Sequence, residues 1–88
     1  MTEEQVLKHI ATDDHARREL LWLRAKEKGD DHLARDLERV DPQLVGRLRR
    51  SGLDVEERDG ESPRERAERM GRLWDECYAQ HVASLSHR

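Results

Sequence analysis

The apolar residues of this chain never run more than four in succession (Leu20-Leu21-Trp22-Leu23), and in its last third they return at steps of one, three and four. Ala67, Met70, Leu73, Trp74, Cys77, Tyr78, His81, Val82 and Leu85 keep that rhythm. It holds side chains on one side of an α-helix, which turns once every 3.6 residues. A half-buried strand needs apolar and polar residues in alternation, and no stretch of the sequence sustains it. The expected fold class is all-α. A single helical domain spans residues 1–88, as a compact bundle of four to five helices with a long C-terminal helix.

Composition bears on whether such a bundle forms. Charged residues make up 42% of the chain and hydrophobic ones only 34%, yet the net charge is −3 because 17 bases offset 20 acids. Disorder goes with low hydrophobicity and high net charge together, so a folded chain is expected. Its core is thin, since a chain of this size buries only about 60% of its unfolded surface. A protein partner or a second copy that covers more apolar surface therefore fits the composition. A four-residue apolar run is far short of the ~20 residues of a membrane span. The one cysteine, Cys77, excludes a disulfide scaffold. Glu3 and Glu4, with no apolar segment after them, give the expectation of no signal peptide and a cytoplasmic location.

Capping residues mark the helices. Thr2-x-x-Gln5 is a capping box, with Val6, Leu7 and Ile10 on one face behind it. Thr12 or Asp13 caps a second helix, whose apolar side carries Ala16, Leu20, Leu21, Leu23 and Ala25 and which Gly29 ends. Asp30 opens a third, with Leu33, Ala34, Leu37 and Val40 inward. Asp41-Pro42 reads as a cap with proline at the first helical position of a fourth, with Leu44, Val45 and Leu48 inward. An acidic loop is expected at about residues 53–61, anchored by Leu53 and Val55. Ser62-Pro63-x-Glu65 then opens the longest helix, to about residue 84.

Little in the sequence points to catalysis. His9, His15, His32, His81 and His87 include no two at the i, i+4 spacing of a helical zinc site, so no metal is expected. Cys77 falls mid-helix between Trp74 and Tyr78 and beside Asp75 and Glu76, carboxylates that disfavour a thiolate, so it reads as a core residue. The glycines at 29, 46, 52, 60 and 71 are dispersed and form no phosphate loop. The expectation is a non-enzymatic protein without catalytic residues or a cofactor.

Two elements carry functional signals. Leu33-Ala34-Arg35-Asp36-Leu37, followed by Val40-Asp41-Pro42-Gln43-Leu44-Val45-x-Arg47-Leu48-Arg49-Arg50, resembles the helix-turn-helix of bacterial DNA-binding proteins. The resemblance implies that the second helix enters the major groove and reads DNA through Gln43, Arg47, Arg49 and Arg50. The turn between the helices reads as one residue long. The flanks oppose this reading. Residues 42–53 hold three arginines and no acid, but residues 30–41 hold five acids against two arginines, and residues 54–61 five against one. Acids within a Debye length of ~8 Å subtract from phosphate affinity. The other signal is the last helix, whose apolar arc of about 180° exceeds the ~100° stripe of an ordinary surface helix. The preferred expectation is thus a protein–protein interaction module, homodimeric or not, that binds through Met70, Trp74, Tyr78, His81 and Leu85. A DNA-binding regulator is the alternative.

Overall fold

The computed structural model describes residues 2–86. They form five helices: α1 Glu3–Thr12, α2 Asp14–Lys28, α3 Asp31–Val40, α4 Leu44–Arg50 and α5 Pro63–Ser86. No strand occurs among the described residues. Four of the five helices open on a side chain that satisfies their unpaired N–H groups. Thr2 Oγ1 accepts from the Gln5 amide at 3.3 Å while Gln5 Oε1 accepts from the Thr2 amide at 3.0 Å, closing the capping box. Asp13 accepts from His15 and Ala16 at 3.1 and 3.2 Å, Asp30 from Leu33 at 3.1 Å, and Ser62 from Glu65 at 3.1 Å.

α4 is the exception. Its cap is Gln43, with no side-chain bond, and the turn from α3 takes residues 41–43 rather than one. Pro42 is the cause. The residue before a proline is pushed out of the helical region, and Asp41 lies at φ −133°, ψ 84°. Its carboxylate is then turned chiefly to Arg47, beside a lesser bond from the Gln43 amide.

α2 is the hub of the bundle and packs against the other four helices, most extensively against α5. Leu23 of α2, Leu44 and Leu48 of α4 and Met70 of α5 are the largest fully buried side chains. Trp22, which the apolar pattern of α2 leaves out, is also core, with its ring beneath the Lys26 ammonium. α2 ends at Gly29, whose φ of 75° only glycine adopts cheaply. α5 runs about 36 Å at 1.5 Å per residue and accounts for most of the 42 Å long axis.

Several residues expected inward are not. Leu33 of α3 is 38% exposed and Val40 68%. α3 packs on α2 and α4 and touches α5 through the Asp31–Arg66 pair at 3.0 Å, contacts that cover the narrow strip of Ala34 and Leu37 and leave both flanks of the helix in solvent. Leu7 of α1 and Leu21 of α2 are exposed too, each standing at the edge of its helix's buried stripe.

The acidic loop is held from both ends. Leu53 and Val55 insert into the core. From α5, the buried Arg69 reaches back to the Asp54 carbonyl at 2.7 Å and the Glu56 carbonyl at 3.0 Å, and pairs both Glu61 oxygens at 2.8 and 2.9 Å.

Candidate functional site

α5 divides its apolar arc between two environments. Met70, Leu73 and Cys77 face the core, while Trp74, Tyr78, His81, Val82 and Leu85 are half-buried. Of the residues expected to meet a partner, Met70 therefore offers no surface; Trp74, Tyr78, His81 and Leu85 do. Trp74 and Tyr78, one turn apart, stack with ring centroids 5.4 Å apart and planes 7° from parallel. The Arg24 guanidinium lies over the Trp74 ring at 4.5 Å, a cation–π contact.

Trp74 forms one wall of an open groove of about 330 Å³ between α1, α2 and α5. Leu7, Ile10 and Ala11 line it from α1, and Leu20 and Leu21 from α2. Arg17 and Arg24 complete the lining, which contains no carboxylate among the described residues. Each arginine pairs along its own helix with an acid outside the groove, Arg17 with Asp14 at 3.0 Å and Arg24 with Glu27 at 2.8 Å. Such exposed pairs contribute about 0–1 kcal/mol and are readily exchanged for another carboxylate. Leu7 is 52% exposed and Leu21 43%, so the groove presents apolar surface that this chain leaves uncovered.

On the other flank of α5 lies a buried polar cluster. Arg47 of α4 forms a two-pronged pair with Asp41, at 3.0 and 2.6 Å, and its Nε stands 3.6 Å from Glu19 Oε1. The other Glu19 oxygen is 3.1 Å from His81 Nε2. Arg18 reaches Asp41 at 3.7 Å. Glu19 and Asp41 are both buried. Hydrogen bonds and charge from Arg47 hold the Asp41 carboxyl below the usual carboxylate range, and Asp41 in turn raises Arg47. Cys77 completes the cluster. Its Sγ, a Glu19 oxygen and a His81 ring nitrogen all lie within 4.8 Å of one another. Desolvation, and then the Glu19 charge, push its thiol up to about 12.

The cluster takes up one of the residues expected to read DNA. Gln43, which caps α4, and Arg49 and Arg50 on it are exposed, but Arg47 turns inward, and Arg49 pairs with Glu56 of the acidic loop. His9, His15 and His32 are exposed, and His87 lies outside the described residues. The sequence does carry a signal for the cluster. Cys77 and His81 stand at i, i+4, a spacing that a search for paired histidines passes over. Nothing in the sequence singles out Glu19, one acid among 20. No protein-family model, curated protein or solved structure matches this chain.

Proposed function

We propose that this protein is a small, non-enzymatic interaction module that receives an amphipathic helical segment of a partner protein in the groove between α1, α2 and α5. The observation that carries the reading is the uncovered apolar surface of Leu7 and Leu21 beside the Trp74 ring. Exposed apolar side chains that adjoin one another under a charged rim offer a partner surface to bury. Helix-in-groove recognition uses apolar anchors at i, i+3/i+4 and i+7, and a wall built from tryptophan suits the centre of such a contact.

Charge selects the partner. Among the described residues the groove lining holds two arginines and no acid, which favours a segment with carboxylates beside its apolar stripe. A second copy suits it less well. Two α2 helices crossed antiparallel at Leu21 set Arg17 of one copy against Arg24 of the other, and like charges there oppose association. Tyr78 contributes by fixing Trp74 through the stack.

Selection from a displayed library of helical peptides tests the reading. Enrichment is expected for peptides with an apolar stripe flanked by Asp or Glu. Their binding to the Leu21→Glu variant should fall at least tenfold, about 1.4 kcal/mol. Binders indifferent to both Leu21→Glu and Trp74→Ala, or no enrichment at all, refute it. A stable dimer in sedimentation, abolished by Leu21→Glu, assigns the groove to self-association instead.

A further inference from the structure

We infer that Glu19, Cys77 and His81 form a binding site for a divalent metal ion of the zinc class, independent of the groove. The two α5 ligands are one helical turn apart, so both project from the same face toward α2, where Glu19 meets them. Thiolate, imidazole and carboxylate are the three ligand types zinc accepts, at about 2.3, 2.0–2.1 and 2.0–2.2 Å. In a tetrahedron with those bond lengths the ligand atoms stand about 3.4–3.6 Å apart. Glu19 Oε2 and His81 Nε2 are already 3.1 Å apart, and all three donors lie within 4.8 Å. Rotations about the side-chain bonds that bring the donors from within that limit to the tetrahedral spacing close the site.

The surroundings fit a cation. Arg47 spends both of its terminal nitrogens on Asp41 and approaches only Oε1 of Glu19, which leaves Oε2 to the ion. With Cys77 as thiolate and His81 neutral, the ion's two charges are balanced by Glu19 and Cys77, and Asp41 balances Arg47; the further cation, Arg18, stands 3.7 Å from Asp41 with its side chain partly in solvent. His81 also walls an open cleft of about 320 Å³ with His9, Asp13 and Ser84. The cleft opens the His81 side of the site to solvent, while Glu19 and Cys77 stand outside its lining. Binding replaces the Glu19–His81 hydrogen bond with two bonds to the ion: the Nε2 proton of that hydrogen bond is given up to solvent, the neutral ring carries its proton on Nδ1, and the thiol proton is released to solvent.

Cobalt titration of the full chain tests the site. One equivalent of Co²⁺ should produce tetrahedral d–d absorption and a thiolate-to-cobalt charge-transfer band, and Zn²⁺ should displace both. Cys77→Ser should abolish the charge-transfer band. His81→Ala, at a half-exposed position that tolerates truncation, should raise the Kd by more than the roughly 10- to 100-fold that losing an outer-shell partner costs. Cobalt binding without the sulfur band is binding at the exposed histidines and overturns the inference. So does a His81→Ala variant with the wild-type Kd, which decides the matter even if Cys77→Ser does not fold.

Discussion

A buried guanidinium must find acceptors for its N–H groups, and Arg69 finds them in two loop carbonyls and the Glu61 carboxylate. It therefore holds the acidic loop from α5, as Leu53 and Val55 hold it from the core. In Arg69→Ala, hydrogen exchange should quicken at amides 53–61 while α2 keeps its protection. Arg69→Lys should behave almost as badly, because one ammonium cannot span carbonyls and carboxylate together. Asp41 has a different signature. Its pKa in the folded chain is depressed by Arg47, so its contribution is complete above the unfolded value of about 3.9 and is lost as pH falls through the lower folded value. Urea unfolding from pH 6 downward should show a steep acid limb below about pH 4, and Asp41→Asn should flatten that limb. A limb unchanged in Asp41→Asn assigns the acid sensitivity elsewhere. Neither Arg69 nor the Asp41–Arg47 pair is legible in the sequence. In a chain that is 42% charged, only tertiary placement distinguishes a buried arginine from a solvated one.

At the scale of elements, far more was legible, because helix ends are local chemistry. Thr2, Asp13, Asp30 and Ser62 cap the helices that their positions predict, and Gly29 takes the left-handed conformation that ends α2. Ser62→Ala should cost about 0.5–2 kcal/mol. Gly29→Ala should cost roughly 1–2 kcal/mol from the backbone alone, since nothing lies within 4 Å of an added Cβ. Thermal unfolding of the two variants measures both. The start of α4 was misread because proline acts on the residue before it as well as on itself, and Asp41 had a stronger partner than an amide. Inward faces were read too wide. Periodicity shows that a side of a helix is apolar, but how much of that side is covered depends on how many neighbours the helix has. α3, flanked by two helices, leaves Leu33 and Val40 in water.

For the molecule as a whole, stability and recognition draw on different apolar residues. Leu48 is fully buried, and Leu48→Ala should cost about 2–5 kcal/mol, a large part of the 5–15 kcal/mol typical of a folded domain. Leu21→Glu, at an exposed position, should stay within about 0.5 kcal/mol of wild type while removing a groove anchor. That separation is what a binding surface predicts. α5 joins the two roles, with Met70 and Cys77 in the core and Trp74 on the groove. Its double-sided pattern was readable in the sequence; the parts of the groove supplied by α1 and α2 were not, because they depend on how those helices sit against it. The most direct measurement is an amide chemical-shift map of the protein titrated with an acidic amphipathic helical peptide. The account predicts the largest shifts around Leu7, Leu21 and Trp74, saturating together. Shifts centred instead on Gln43, Arg49 and Arg50, or the same map from Leu21→Glu as from wild type, contradict it.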